Sequence, residues 1–389
     1  MESFEPMNVR ELLTEMKDVS DLMVDLAYAT ILFEDKELAK HMRYLEEEMD
    51  ELMYKIRGVA AVVTRNIEEA RQITGILQVA SGAEGISNAT GDIADLVRRG
   101  IKIHPVVREA FSVASEQIVK VNVAAGSAVD GTTFRELRLP SSIGVWTFGI
   151  KKGGKWILSP PSDTRIESGD TLLSKGPAVG VVELVELAGR RVEVKKKKFA
   201  GGVGVLRKAL AEMRDLTVAM VDMAYSSLLF NSREIAEEVG VFEEKFDRLN
   251  YKLWLETLKA AKRERDLKKL NSILQVVRAM ERISDAADSI ADVIRREEEL
   301  HPVFLSVLAD SQEQIAKTTV GVDSPFVGKN LEELKLWKTM GAYIFMVKRG
   351  RRYVINPGKS FKINAGDVLF LRGGKSGVEK ATRAGVGRR

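Results

Sequence analysis

The sequence predicts an α+β multidomain protein in which two all-α antiparallel helical bundles alternate with two small α+β domains. Three observations predict it. The chain is written twice in register: His104-Pro105 recurs as His301-Pro302, an offset of 197 residues (301 − 104). The same offset relates Glu15-Met16-Lys17-Asp18 to Glu212-Met213-Arg214-Asp215, Ile76-Leu77-Gln78-Val79 to Ile273-Leu274-Gln275-Val276, and Gly169-Asp170 to Gly366-Asp367. Within each copy the texture changes once, from helical periodicity to short strand-like runs broken by Gly, Pro, Ser and Asp. Finally, 389 residues are too many for one core, and each copy has the size of one large or two small domains. A repeat this long means paired domains rather than a solenoid.

The first helix is read from Leu12, Met16, Val19, Met23 and Leu26, spaced by three and four residues. A second carries Leu38, Met42, Leu45, Met49, Leu52 and Ile56, and a third runs through Ile73, Ile76, Leu77, Ala80, Ala83, Ile93 and Val97. His104-Pro105 opens a shorter helix, because proline suits a first turn, and the helical texture extends to about Val121. Long helices with short connections and one apolar face each form an antiparallel bundle. After Ala125, Ile143–Ile150, Lys155–Leu158 and Thr171–Ser174 read as strands, with short helices over Thr132–Leu137 and Val179–Leu187. The expected domains are a bundle over 1–124, an α+β domain over 125–190, a basic and Gly-rich linker over 191–205, a second bundle over 206–320 and a second α+β domain over 321–389. The linker, with Lys195–Lys198 and Gly201-Gly202-Val203-Gly204, reads as a solvated connection or as a basic grip on anionic lipid. It lacks the Lys-Ser/Thr pair of a phosphate loop.

Composition narrows the function. The 30% charged content and the absence of cysteine suit a helical, heat-adapted cytosolic protein and exclude disulfides and thiolate metal sites. A net charge of +4 does not mark a nucleic-acid binder. No apolar run is long enough to span a bilayer and no leader segment opens the chain, so a cytoplasmic protein is expected, at most peripheral to the inner face of the membrane. There is no Ser/His/Asp set and no nucleophile motif, so no enzyme is expected. His104 and His301 read as turn or cap residues, and Trp146, Trp156, Trp254 and Trp337 as core or interface anchors.

The chemistry rests on carboxylates in the bundles. Glu46 and Asp50 lie four apart, on one helical face, as do Glu243 and Asp247. Glu84 and Asn88 become Glu281 and Asp285, and Asp288 and Asp292 continue the same stripe in copy two. Asp25 and Asp222 occupy equivalent places on the first helix of each copy. Such carboxylates on facing helices converge on a cation or form a solvated face paired with Lys and Arg. Asn88 offers a neutral oxygen where copy two has an anion, so copy one is expected to hold metal more weakly.

These residues resemble a known family. Glu281-Arg282-Ile283-Ser284-Asp285, followed by Ile290-Ala291-Asp292, is similar to the helix motif of PhoU-type bundles, in which Glu/Asp-x-x-x-Asp pairs hold metal ions. Glu243-x-x-x-Asp247 and Glu46-x-x-x-Asp50 match the other motif helix, and Glu84-x-x-x-Asn88 departs at its last position. The resemblance implies iron, zinc, manganese or magnesium on Glu243, Asp247, Glu281 and Asp285, with Asp222 from a third helix, and a weaker set of Glu46, Asp50 and Glu84. The β segments resemble a second family, the TrkA-C or RCK-C regulatory domain of potassium-transport proteins. Its order of apolar strand, basic hairpin, proline and Gly-Asp turn appears as Val145–Ile150, Lys151-Lys152-Gly153, Pro160 and Gly169-Asp170. It returns as Val347-Lys348-Arg349-Gly350, Pro357 and Gly366-Asp367. No Gly-x-Gly-x-x-Gly follows a strand, so the nucleotide-binding half of such regulators is missing. The resemblance implies a two-fold pairing of the β domains within one chain or between two chains of a homodimer. It also implies a small anionic ligand such as a cyclic dinucleotide, for which Lys151, Lys152, Lys348 and Arg349, with Arg351 and Arg352, supply charge. The function it implies is regulation of a membrane transporter or channel for potassium or a divalent cation; a phosphate-signalling accessory and a metal-storing bundle are the alternatives.

Overall fold

The computed structural model describes residues 9–64, 66–191, 203–261, 266–296, 314–350, 352–355 and 357–387. His301, Arg351 and most of the basic linker lie outside the described residues. The chain divides into two compact units, Met1–Ser112 with Phe199–Ser311, and Val113–Lys198 with Gln312–Arg389. The duplicated halves are thus sorted by texture, helices with helices and sheets with sheets.

In the helical unit, copy one forms α1 (Val9–Phe33), α2 (Lys36–Val63), α3 (Ile67–Arg98) and the short α4 (Pro105–Phe111). Copy two forms α8 (Val203–Leu229), α9 (Arg233–Ala260) and α10 (Leu267–Arg296). The stripe read from the sequence is the core: Leu12, Met16, Val19, Met23 and Leu26 are all buried. The helix starts are set by side chains that satisfy otherwise orphaned amides. Asp35 accepts from the amides of Glu37 and Leu38 at 3.0 and 3.2 Å, Asn66 from Glu69 at 2.9 Å, and Ser232 from Ile235 at 3.4 Å. His104 caps α4, its Nδ1 accepting from the Val106 amide at 3.1 Å. The tight turns before α2 and α9 put Glu34 (φ 48°) and Asn231 (φ 44°) in the left-handed region at equivalent positions. Asparagine tolerates this conformation better than glutamate does.

The two bundles meet along α3 and α10, where small residues let the backbones approach. A methyl group on Gly82 would collide with Ile290, and one on Gly85 would press on Ala286. Gln78 donates to the Ser289 carbonyl at 2.8 Å, and Arg282 pairs with Asp92 across the seam. A second reciprocal contact joins α1 and α8. The Lys17 ammonium lies 5.5 Å from the Tyr225 ring centre, and the Arg214 guanidinium 5.1 Å from that of Tyr28. Since 214 is 17 shifted by the repeat and 225 is 28 shifted, this is one contact made twice about a pseudo-two-fold axis. All four side chains are buried, and burial pushes both phenols up.

The β unit holds two four-stranded antiparallel sheets. The first orders β1 (Glu116–Asn122), β4 (Thr171–Pro177), β2 (Trp146–Lys152) and β3 (Lys155–Leu158), with α5 (Phe134–Leu137), α6 (Leu139–Ser142) and α7 (Ala178–Leu187). The second repeats it as β5 (Gln314–Thr319), β8 (Val368–Gly373), β6 (Ala342–Arg349) and β7 (Arg352–Ile355), with α11 (Leu331–Leu334), α12 (Leu336–Thr339) and α13 (Lys375–Val386). Bulges fall at Phe148 and Phe345, one repeat apart. Helical texture was expected to about Val121, but helix stops at Phe111 and residues 116–122 form the edge strand β1. The sheet therefore begins before the expected boundary at 125. The missed signal is an alternation of period two: Val121 and Val123 are buried in the sheet core and Val119 packs against it. The two sheet domains face one another inside the chain through α6 and α12, which are equivalent in the repeat; Gly144 abuts Trp337, Pro140 lies beside Gly374, and Lys338 pairs with Glu183 at 3.8 Å.

Candidate functional site

Three places carry the candidate residues. The first is the acidic face of α9 and α10. Burial raises the carboxyl groups of Glu243, Glu281 and Asp285, and the neighbouring carboxylates raise them further: Asp247, Asp288 and Asp285 act on Glu243, Asp285 and Asp247 on Glu281, and Asp247 and Asp288 on Asp285. The structure thus gathers Glu243, Asp247, Glu281 and Asp285 on one face, with Asp288 added. Glu281 is steered by Asn250, whose amide donates to it at 2.7 Å. Arg295 forks onto Asp288 with two hydrogen bonds of 2.8 Å and also reaches Asp292 and the Ala236 carbonyl, tying α10 to α9. Asp222 is buried in α8. Among the described residues no three His, Asp or Glu side chains stand at metal-holding distance.

Copy one is arranged differently. Glu84 reaches Arg57 at 3.6 Å, and Asn88 is exposed. Copy two has Trp254 in place of Arg57, and the cation that acts on Glu281 is Arg278 of its own helix. Glu46 lies over Gly91, where any side chain would collide with its carboxylate, and copy two has Asp288 at that position. Burial, then Asp95, Asp92 and Asp50, push the Glu46 carboxyl up to about 7, with Arg43 opposing. Asp95 is held low by hydrogen bonds from Arg98 and Arg99, and Asp92 is engaged by Arg282.

A group whose acid form is favoured by folding stabilises below its unfolded pKa, and that contribution is lost as pH rises from about 4.5 to about 7. Glu46→Gln should therefore match the parent near the acid end of that window. Above it the variant should exceed the parent by about 1 kcal/mol, after discounting for the solvent that screens a half-buried group. Urea unfolding of the two proteins across this range is the check, and parallel pH profiles would show that Glu46 is not the titrating group.

The second place is the hairpin and Gly-Asp turn of each sheet domain. Lys152 donates to Asp170 at 2.8 Å, Glu167 at 3.0 Å and the Arg165 carbonyl at 2.8 Å. Its equivalent Arg349 grips Asp367 through Nε at 2.8 Å and Nη2 at 2.7 Å, and reaches the Lys362 carbonyl. The aspartates are buried, and each also accepts a backbone amide, from Glu167 or Asn364. The sequence offered Lys152 and Arg349 as anion ligands. The structure instead gives each an internal aspartate that closes the turn. A Lys and an Arg fill the same role, so the repeat conserves the charge and not the donor geometry. Lys151 and Lys348 lie 5.8 and 5.9 Å from the ring centres of Trp156 and Tyr353. Arg352 sits at the start of β7.

The third place is a cavity of about 350 Å³ between the two sheet domains. Pro177 and Val179 from the first domain, and Leu336, Trp337, Tyr343 and Ile344 from the second, make it mainly apolar. Glu116 and Lys359 supply charge at its edge, and Tyr343 donates to Glu116 at 3.3 Å. The sequence pointed to Trp337 as a core or interface anchor and the resemblance implied pairing of the β domains; the cavity beside Trp337 is what the structure adds.

Two family models match the chain. The PhoU domain matches residues 13–97 and 210–294, and the TrkA-C domain matches residues 118–187 and 315–384. No curated protein matches. Among solved structures, PhoU from Pseudomonas aeruginosa is similar at 13% identity over 74% of this chain and 93% of that one, with a TM-score of 0.43. The phosphate transport system regulatory protein PhoU from Streptococcus pneumoniae shows 12% identity over 74% and 92%, with a TM-score of 0.41. The GsuK RCK domain shows 11% identity over 82% and 79%, with a TM-score of 0.19. No helix among the described residues is long and apolar enough to cross a membrane. Both matches occur twice, and they fall on the helical and sheet segments respectively. The chain is a tandem duplication of a PhoU domain followed by a TrkA-C domain.

Proposed function

We propose that this protein is a non-catalytic regulator of ion transport, in which the paired TrkA-C domains take up a small ligand and the PhoU bundles sense a metal ion. The observation that supports it is the half-open cavity, lined by Trp337 and Tyr343, between two domains of a regulatory family, a common setting for a small-molecule site. The regulated protein in this reading is a membrane transporter or channel for potassium or a divalent cation. A ligand there stacks a flat ring on Trp337 and Tyr343 while its polar edge meets Glu116 and Lys359. Cyclic dinucleotides and adenine nucleotides have that form.

The metal reading rests on Glu243, Asp247, Glu281 and Asp285. They are half-buried or exposed, they repel one another, and a cation supplies the positive charge that relieves the repulsion. Asn250 orients Glu281, and Arg295 pairs with Asp288 beside the group. In copy one Arg57 already neutralises Glu84, so metal is expected there only weakly.

Three measurements test the proposal. Calorimetry of the full chain with cyclic di-nucleotides and adenine nucleotides should show binding that Trp337→Ala weakens roughly tenfold or more. Elemental analysis after supplementation with iron, zinc, manganese and magnesium should find metal that Asp285→Asn reduces. Capture from native membranes should recover a potassium or divalent-cation transporter. Recovery of a phosphate importer instead would favour the accessory role in phosphate signalling, and absence of both heat and metal would leave the domains as pairing devices.

A further inference from the structure

The second half of α9 presents an apolar stripe to solvent. Tyr251, Trp254, Leu255 and Leu258 follow one another at helical spacing and are 70, 40, 40 and 57% exposed. The helix buries Asn250, Leu253 and Thr257 on the adjoining face, and the stripe runs beside them on the solvent side. It belongs to copy two alone. At the equivalent positions copy one keeps Tyr54 but has Arg57, Gly58 and Ala61. A lone exposed leucine needs no explanation, whereas a row of four large side chains including tryptophan does.

Charge changes along this part of the sequence. Between Arg233 and Asn250 there are six acidic and three basic residues; from Tyr251 to the end of α9 there are two basic and one acidic, and the following ten residues to Leu270 add five basic and two acidic. The apolar stripe therefore adjoins a basic stretch of sequence; Lys252 and Lys259 are exposed on the same half of α9, Lys259 paired with Glu256, and Leu267 and Lys268 are exposed at the start of α10. Two aromatic rings with a polar tip, two leucines and flanking lysines are the composition of a surface that enters the headgroup region of a bilayer. There the rings sit at the boundary, the leucines leave water and the lysine stems reach back to anionic phosphates. A second copy of the chain fits less well. The four side chains expose roughly 400 Å², about half of what each partner buries in a standard stable dimer. The basic surround would also face its own like charge in such a dimer.

We propose that this stripe, Tyr251-Trp254-Leu255-Leu258, seats the helical unit on the anionic face of a lipid bilayer. The surface brings a chain without a membrane-spanning helix among its described residues to the place where a transport protein sits, whichever transporter that is. The anchoring is reversible, since it rests on a few side chains and on charge that salt screens.

The test is sedimentation of the full chain with phosphatidylcholine vesicles, with and without phosphatidylglycerol. The parent should pellet with the anionic vesicles, weakly with the neutral ones, and less in high salt. Leu258→Glu should lower the partition roughly tenfold while melting as the parent does, because the position is exposed. Tyr54→Glu, on the equivalent helix of copy one, should leave it unchanged. Vesicles should shift the tryptophan emission to the blue, and Trp254→Phe should remove that shift while keeping the binding. A parent that stays in the supernatant with both vesicles overturns the proposal, as does Leu258→Glu pelleting like the parent. A self-association that Leu258→Glu abolishes would assign the stripe to a second copy and overturn it equally.

Discussion

Replacing Arg349 by alanine should open the Gly-Asp turn of the second sheet domain and destabilise it by about 2 kcal/mol. Asp367 is 1% exposed and accepts both Arg349 nitrogens and the Asn364 amide. Without the guanidinium the carboxylate keeps one backbone donor and little water. Removing one partner of a fully buried ion pair costs about 3–5 kcal/mol, and the lower figure here reflects an Arg349 side chain that is 42% exposed. The check is amide exchange of β6 and β8 in the intact chain, which should quicken roughly thirtyfold. Arg349→Lys should recover much of the loss, because the first domain closes the same turn with Lys152. If alanine leaves the exchange unchanged, the pair is a surface ornament and Arg349 is available to an anion after all.

Gly82→Leu should be more damaging, by about 3 kcal/mol. The α3–α10 seam has no space at that point: the first added carbon meets Ile290, and the Ala286 carbonyl lies 3.2 Å away. Overpacking costs about 1–3 kcal/mol in an adaptable core, and a seam between two helix backbones adapts poorly. The double variant Gly82→Leu with Ile290→Ala exchanges volume across the seam and should regain about 2 kcal/mol, a coupling that double-mutant analysis of thermal or urea unfolding reads directly. Gly204, near the start of α8, meets nothing within 4 Å, so Gly204→Ala should cost nothing. Helix propensity favours leucine and alanine over glycine, so a loss at Gly82 belongs to the seam, and Gly82→Leu unfolding like the parent would show that the seam adapts there.

Both predictions concern contacts that the sequence contained but did not reveal. The duplication, the two textures and the apolar stripes of α1, α2 and α3 were legible because they are local: period 3.6 buries one helix face, and the offset of 197 residues is visible by inspection. The resemblance of the bundle motif and of the hairpin with its Gly-Asp turn was legible for the same reason. The edge strand β1 was not, because seven mostly half-buried residues close behind a helix give a weak signal against a strong one. Trp254 read as an anchor of a core or interface, and it stands on the surface. Its helical position fits either side, and only the packing of α9 on α8 and α10 decides which.

The candidate site divides along the same line. Spacing put Glu243 and Asp247 on one face of α9, and Glu281 and Asp285 on one face of α10. Which faces meet is decided by tertiary structure, and it brought these four together with Asp288, left Asp222 inside α8, and gave Glu84 to Arg57. Likewise the sequence identified a basic hairpin, but not that Lys152 and Arg349 close on an aspartate 18 residues away. By itself the sequence determined the repeat, the domain types and the inventory of charges, since each follows from residues close along the chain. Only the fold decided the partners of those charges and the cavity between the sheet domains, because both depend on distances between residues far apart in sequence, and those distances exist only once the helices and sheets have packed.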